Sequence, residues 1–83
     1  MKVRVRYFAS IREAMGCTDE VLETGAATLG ALRLELAQRA GAAGTALAPQ
    51  RAVRMALNQV LQPESAALSP DCEVAFFPPV TGG

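Results

Sequence analysis

The sequence has 83 residues, with eight basic and eight acidic side chains and no histidine. A chain of this length forms one domain with one modest core, so a large internal substrate cavity is not expected. The commonest general base and metal ligand is absent, and the zero net charge gives no broad basic surface for nucleic acid. We therefore expect no self-contained active site, no metal site and no nucleic-acid interface.

The compartment is predicted from apolar runs and cysteines. No apolar run approaches the roughly 20 residues that span a bilayer, and the N-terminus lacks the apolar segment of a signal peptide. We therefore expect a cytoplasmic protein that does not bind membranes. Cys17 and Cys72 lack the spacing of a zinc site or a disulfide framework. We interpret them as small, partly buried apolar residues, with a reactive thiol or an oxidised pair as alternatives.

The first third of the chain predicts a strand, a short helix and a second strand. Residues 1–8 alternate between apolar and basic side chains, which is typical of a half-buried strand. Ser10 and Glu13 have the spacing of a capping box, and Gly16 follows where a helix C-cap is expected. Residues 17–24 alternate again and predict a strand that pairs with the first.

The middle of the chain predicts the main helix. Leucines recur at helical spacing over residues 29–40, with Thr28 as the N-cap and Gly41 at the end. Leu34 lies off this stripe, which indicates an apolar face wider than the stripe alone. Residues 41–49 are rich in alanine and glycine and predict a loop.

The last third predicts short strands followed by a tail. The strands occupy residues 53–57, 60–61 and 73–77, with turns at Asn58-Gln59 and Pro70-Asp71. Together the elements predict one α+β domain over residues 1–77. In it, one main helix packs on one face of a mixed sheet of about four to five strands, with the first and last strands adjacent at its centre.

The C-terminal tail, residues 78–83 (PPVTGG), carries the strongest functional signal. Its two prolines favour a stiff, extended exit, and six extended residues reach about 20 Å. The last two residues have no Cβ, so a narrow channel in a partner enzyme could admit them. The residues expected to thread into the partner are Pro78, Pro79, Val80, Thr81 and Gly82. The α-carboxylate of Gly83 is then the reacting group, and a frayed end without function is the alternative.

A docking surface is predicted beside the root of the tail. Because side chains alternate across a strand, Phe8 and Phe77 both point to the open face if their neighbours face the helix. They lie close together if the first and last strands are adjacent, and Leu61 would join them. Exposed apolar patches of this kind mark partner surfaces. Partial burial under loops is the alternative.

Three segments resemble a known family: residues 7–13 (YFASIRE), 56–59 (ALNQ) and 73–83 (EVAFFPPVTGG). They are similar to the small subunit of molybdopterin synthase, a ubiquitin-like sulfur carrier, over essentially the whole chain. One turn departs from the family, which typically has Asp-Gly-Asp where this chain has Pro70-Asp71-Cys72. Asp71 is expected to adopt the positive φ of the missing glycine more readily than most residues.

The resemblance implies a β-grasp fold and a non-catalytic subunit without a bound cofactor. It implies that an E1-like activating enzyme adenylates Gly83 with ATP, and that a sulfurtransferase supplies sulfur for a thiocarboxylate. The tail then enters the large synthase subunit and donates sulfur to cyclic pyranopterin monophosphate, which forms the molybdopterin dithiolene. In this family two large and two small subunits assemble, and the catalytic residues are expected on the large subunit. Phe8, Leu61 and Phe77 match the apolar interface with it.

Other functions remain open on the sequence. A sulfur carrier of another pathway, such as thiamine synthesis, would share the fold and the Gly-Gly end. A ubiquitin-like modifier would join the same end to lysines of target proteins. Lys2 is the only lysine here, so long self-linked chains are not expected. A purely structural interaction module would leave the Gly82-Gly83 end unexplained.

Overall fold

The chain folds into one five-stranded sheet with helices on one face. The structure is a computed structural model that describes residues 1–39 and 41–79, with residues 42 and 43 described by their backbone alone. In chain order the elements are β1 (Lys2–Tyr7), α1 (Ala9–Met15), β2 (Asp19–Glu23), α2 (Leu29–Arg39), a 3₁₀ helix (Gly41–Leu47), β3 (Arg54–Leu57), β4 (Val60–Leu61) and β5 (Glu73–Phe77). The strand order is β2-β1-β5-β3-β4. The predicted mixed α+β architecture is confirmed.

The first and last strands are parallel neighbours within the sheet. Val5 lies opposite Val74, and Tyr7 lies opposite Phe76, with their rings stacked at a centroid distance of 6.4 Å. The remaining strand pairs are antiparallel. This topology places the end of β5, where the tail begins, beside the end of β1.

The core fills the space between α2 and one face of the sheet. Its fully buried large side chains come from alternate positions of β1 and β5, from three leucines of α2 and from the 3₁₀ helix: Val3, Val5, Tyr7, Val74, Phe76, Leu29, Leu32, Leu36 and Leu47. Leu34 is 46% exposed, so the apolar face of α2 is no wider than the leucine stripe. Because the helix covers only this face, the other face of the sheet stays open, and the candidate site lies there.

The predicted capping box at the start of α1 is wrong. The helix begins directly after β1, with Phe8 as its N-cap in an extended conformation and without a side-chain cap. The carbonyl of Phe8 accepts hydrogen bonds from the N–H groups of Ile11 and Arg12, at 3.1 and 3.2 Å. Ser10 therefore lies within the first turn, where it cannot serve as the cap. The predicted end is confirmed, since Gly16 has a left-handed φ of 80° and donates its N–H to Arg12.

The predicted loop over residues 41–49 is wrong for its first seven residues, which form the 3₁₀ helix. Leu47, the last residue of this helix, is fully buried. A Cβ on Gly44 would collide with the backbone carbonyl of Ala37 in α2. The small residues that resemble a loop in the sequence therefore permit close packing of two helices.

Arg33 fastens this segment to α2, although it is a charged residue with only 5% of its surface exposed. Its guanidinium donates to the carbonyls of Leu47 at 2.8 Å, Ala48 at 2.7 Å and Arg51 at 2.6 Å. A fourth contact, at 3.4 Å, reaches the carboxylate of Glu64. The guanidinium of Arg33 can be buried here because carbonyl and carboxylate oxygens accept hydrogen bonds from its N–H groups. No pattern in the sequence indicates this role.

Both predicted turns near the end of the chain are confirmed. Asn58 and Gln59 have φ values of 50° and 70°, the left-handed conformation at both positions of a tight hairpin. The side-chain oxygen of Asn58 accepts the N–H of Glu73 at 2.9 Å, which ties the hairpin to β5. Asp71 has a φ of 62°, as expected for a residue standing where the family has glycine. These turns complete a β-grasp fold.

Candidate functional site

An apolar groove lies on the open face of the sheet, at the end of β5. The rings of Phe8 and Phe77 meet edge to face, with their centroids 6.4 Å apart and their planes at 88°. Leu61 lines the same groove. Phe8 is 39% exposed and Leu61 is 60% exposed, whereas Phe77 is half-buried. The predicted proximity of these three residues is confirmed, and their role in docking stays a prediction.

Three backbone registers place these side chains together. Phe8 donates its N–H to the carbonyl of Phe76 at 3.2 Å, which extends the β1–β5 pairing by one residue. On the other side, Ala56 lies opposite both Leu61 in β4 and Ala75 in β5. The two alanines have small side chains, so they form a low floor between Leu61 and the aromatic pair.

The root of the tail forms one end of the groove. Pro78 and Pro79 both line it and are half-buried. The other residues predicted to thread into a partner or to react lie outside the described residues: Val80, Thr81, Gly82 and Gly83. The groove has a volume of about 730 Å³ and opens to solvent, so it is a surface groove and not the internal cavity that the chain length argues against.

Arg6 gives this groove a charged wall. Its guanidinium carbon lies 5.4 Å from the centroid of the Phe8 ring, at the distance of a cation–π contact. One guanidinium nitrogen is 3.8 Å from a carboxylate oxygen of Glu73, which also lines the groove. The sequence placed Arg6 on the open face by alternation but did not connect it with Phe8.

The two thiols are poorly suited to nucleophilic chemistry. Both cysteines are free, and Cys72 is buried. Burial and then the nearby Glu20 carboxylate raise the pKa of the half-buried Cys17 above its ordinary value, which favours the thiol over the reactive thiolate. These observations support the interpretation as small apolar residues, and the described thiols form no oxidised pair.

The carboxylate of Glu20 also accepts a hydrogen bond from a buried tyrosine. The hydroxyl of Tyr7 donates to Glu20 at 2.8 Å, and burial, followed by this hydrogen bond, raises the pKa of Tyr7 above its ordinary value. Because neutral phenol is the donor, the interaction requires Tyr7 to keep its proton. This pair lies on the core side of β1 and helps to fix β1 against β2.

Residues 1–39 and 41–79 offer no group of three or more cysteine, aspartate or glutamate side chains placed to hold a metal. Within the same ranges, no helix is both long and apolar enough to cross a bilayer.

Two curated relatives match the chain over nearly its whole length. The molybdopterin synthase sulfur carrier subunit of Haemophilus influenzae is 41% identical over 81 residues, covering 98% of this chain and 99% of the relative. The subunit with the same name from Escherichia coli is 36% identical, with the same coverage.

Solved structures agree with the fold and with this relationship. A molybdopterin converting factor subunit 1 from Pyrococcus furiosus superposes with a TM-score of 0.79 at 25% identity, over 96% of this chain and 99% of that one. A chain of the complex between subunits 1 and 2 of molybdopterin-converting factor from Helicobacter pylori has a TM-score of 0.67 at 28% identity, with full coverage of both chains. The model of the ThiS family matches residues 5–83. The chain therefore belongs to the ThiS family.

Proposed function

We propose that this protein is the sulfur carrier subunit of a molybdopterin synthase. The observation that carries the proposal is the pairing of two features at one end of the sheet. One is the apolar groove formed by Phe8, Leu61 and Phe77 beside the root of the tail. The other is the Pro-Pro-Val-Thr-Gly-Gly end that follows it. The names of the relatives support the choice of pathway.

The chemistry explains why such a carrier needs partners. A carboxylate is a poor electrophile, so the Gly83 carboxylate must first attack ATP and become an acyl adenylate, with pyrophosphate as the leaving group. The persulfide of a sulfurtransferase then displaces AMP to give an acyl disulfide. A thiol cleaves its S–S bond, which releases the thiocarboxylate and leaves a disulfide on the donor. We assign the first step to an E1-like activating enzyme and the sulfur to a sulfurtransferase. ATP is consumed by the activating enzyme, so this chain needs no resident cofactor.

The groove is the proposed docking surface for the large synthase subunit. Docking there would aim Pro78 and Pro79 toward the partner, and the remaining tail would carry Gly83 into its active site. Water would be excluded from the thiocarboxylate, which limits its hydrolysis. The catalytic residues that act on cyclic pyranopterin monophosphate would belong to the large subunit, in an assembly of two large and two small subunits in the cytoplasm. The named complex of subunits 1 and 2 from Helicobacter pylori supports a large-subunit partner.

Intact-protein mass spectrometry tests the carrier chemistry. The purified chain is incubated with its activating enzyme, ATP, a persulfide donor and a thiol reductant. We expect a mass increase equal to the replacement of one oxygen by one sulfur, and no increase for a variant that lacks Gly83. An unchanged mass, in a mixture that thiocarboxylates a known carrier, would contradict the proposal. Products with the added mass of a target protein would instead favour the modifier function.

A binding experiment separates this pathway from other sulfur-carrier pathways. The chain should form a stable complex with the large subunit of molybdopterin synthase, and Phe77→Asp should weaken it because a carboxylate would be buried in an apolar contact. Phe77 is half-buried, so circular dichroism must confirm that the variant is folded. Equal binding by a folded Phe77→Asp variant would remove the groove from the interface.

A further inference from the structure

At the edge of the groove opposite Arg6 lies an arginine, Arg54, that has no ion pair among the described residues. Arg54 lies opposite Phe77 in the β3–β5 register, so both side chains leave the sheet on the open face. It lines a shallow depression next to the groove, together with Leu61. Its side chain is exposed. The apolar surface is therefore bordered by a guanidinium on each side.

The two guanidiniums differ in how their charge is balanced. Arg6 has a carboxylate partner in Glu73 and lies over the ring of Phe8. For Arg54, the part of the chain described by the structure supplies neither an ion pair nor a side-chain hydrogen bond. Arg54 is thus the uncompensated charge at the rim of the groove.

We propose that Arg54 determines partner specificity by pairing with a carboxylate of the protein that covers the groove. The inference rests on the proposed docking of the large synthase subunit. It adds that the subunit's contact surface is apolar at its centre and acidic along the edge that faces β3 and β4. Glu64 lines the same depression as Arg54, but its carboxylate pairs with Arg33, and no other described carboxylate forms an ion pair with Arg54. The complementary charge therefore has to come from the partner.

The physical reason is the cost of covering a charge. When a partner excludes water from the apolar centre, a guanidinium at the border loses part of its hydration. A facing carboxylate compensates that loss through charge-assisted hydrogen bonds, whereas an apolar or basic surface leaves it uncompensated. The same arginine therefore favours one class of partner and disfavours the others.

Affinity measurements with charge variants test this proposal. Binding of the full chain to the large subunit from the same organism is measured by calorimetry at low and high salt. Arg54→Met removes the charge but keeps an unbranched apolar stem, and Arg54→Glu reverses the charge. The matched control is Arg4→Glu, because Arg4 is exposed on the same face but lines a different depression, with Lys2 and Val21. Glu73 lies between this depression and the groove and lines both.

We expect Arg54→Met to raise the Kd roughly two- to fivefold, the range of a partly exposed ion pair. Arg54→Glu should raise it by about tenfold at low salt and by less at high salt. Unchanged or tighter binding by both variants overturns the proposal. An equal loss with Arg4→Glu also overturns it, because the effect would then be a general field. If the wild-type chain does not bind the large subunit, the proposed docking is wrong and the role of Arg54 falls with it. If the wild type binds and the Arg54 variants bind equally well, only the role of Arg54 is wrong.

Discussion

Leu61 offers the sharpest test of the groove as a docking surface. It is 60% exposed on the short edge strand β4, so the fold gains little from its side chain. We expect Leu61→Ala to leave the free energy of unfolding within about 0.5 kcal/mol of the wild type. The same change should weaken binding of the large subunit, because the exposed side chain is what a partner would cover.

The magnitude follows from the exposed fraction. Complete burial of a leucine side chain is worth about 1.5–3 kcal/mol. The partner can bury at most the 60% that the fold leaves exposed, which is worth about 1–2 kcal/mol. Alanine retains only Cβ and loses most of this. The Kd should therefore rise roughly 5- to 30-fold.

Titration calorimetry with the large subunit measures this change, and Leu34→Ala is its matched control. Leu34 is 46% exposed, but it lies on α2, across the sheet from the groove. Its replacement should change the Kd by less than about twofold. A folded Leu61→Ala variant that binds as tightly as the wild type would refute the groove as the interface. A comparable loss of affinity in Leu34→Ala would contradict the placement of the interface on the groove face of the sheet.

Three further predictions concern the scaffold. Gly44→Ala should lower the free energy of unfolding by about 1–3 kcal/mol, because its Cβ meets the backbone of α2; Gly25→Ala, with open space around its Cβ, should be nearly neutral in the same urea titration. Arg33→Met should cost about 2–4 kcal/mol, because one buried and two partly buried hydrogen bonds to backbone carbonyls are lost. Arg39→Met, at an exposed helical pair, should cost at most about 0.5 kcal/mol. Tyr7, the only tyrosine, has a folded-state pKa raised above its ordinary value, so its contribution to stability is complete below about pH 10 and is lost as the pH rises further. Tyrosinate absorbance should then appear together with unfolding, and its appearance in a fully folded protein would contradict the buried hydrogen bond.

Much of the groove follows from local pattern in the sequence. Strict alternation in β1 predicts which side chains reach the core, and therefore that Phe8 faces the other way. The Asn58-Gln59 turn predicts the hairpin that brings Leu61 back beside its neighbours. Side chains alternate in β5 as they do in β1, so Phe77 lies on the same face as Phe8. The two rings come together because β1 and β5 are adjacent.

The features that the sequence did not predict depend on contacts between distant segments. Residues 41–47 have no apolar period, and the burial of Gly44 and Leu47 depends on the packing of this segment against α2. Arg33 is charged, so its burial could not be inferred without the carbonyls that surround it. The capping box failed because the carbonyl of Phe8 already accepts the first helical hydrogen bonds. The spacing of Ser10 and Glu13 alone cannot show that the helix has its N-cap at Phe8, two residues before Ser10.

The most direct test of the central claim is a single-turnover sulfur transfer. The chain carrying a thiocarboxylate on Gly83 is mixed with the large synthase subunit and cyclic pyranopterin monophosphate, without an activating enzyme. We expect molybdopterin to form while the mass of the chain returns to that of the carboxylate, with two chains consumed for each dithiolene because it contains two sulfur atoms. Retention of sulfur on the chain, or formation of molybdopterin from the unmodified chain, would contradict the assignment as its sulfur carrier.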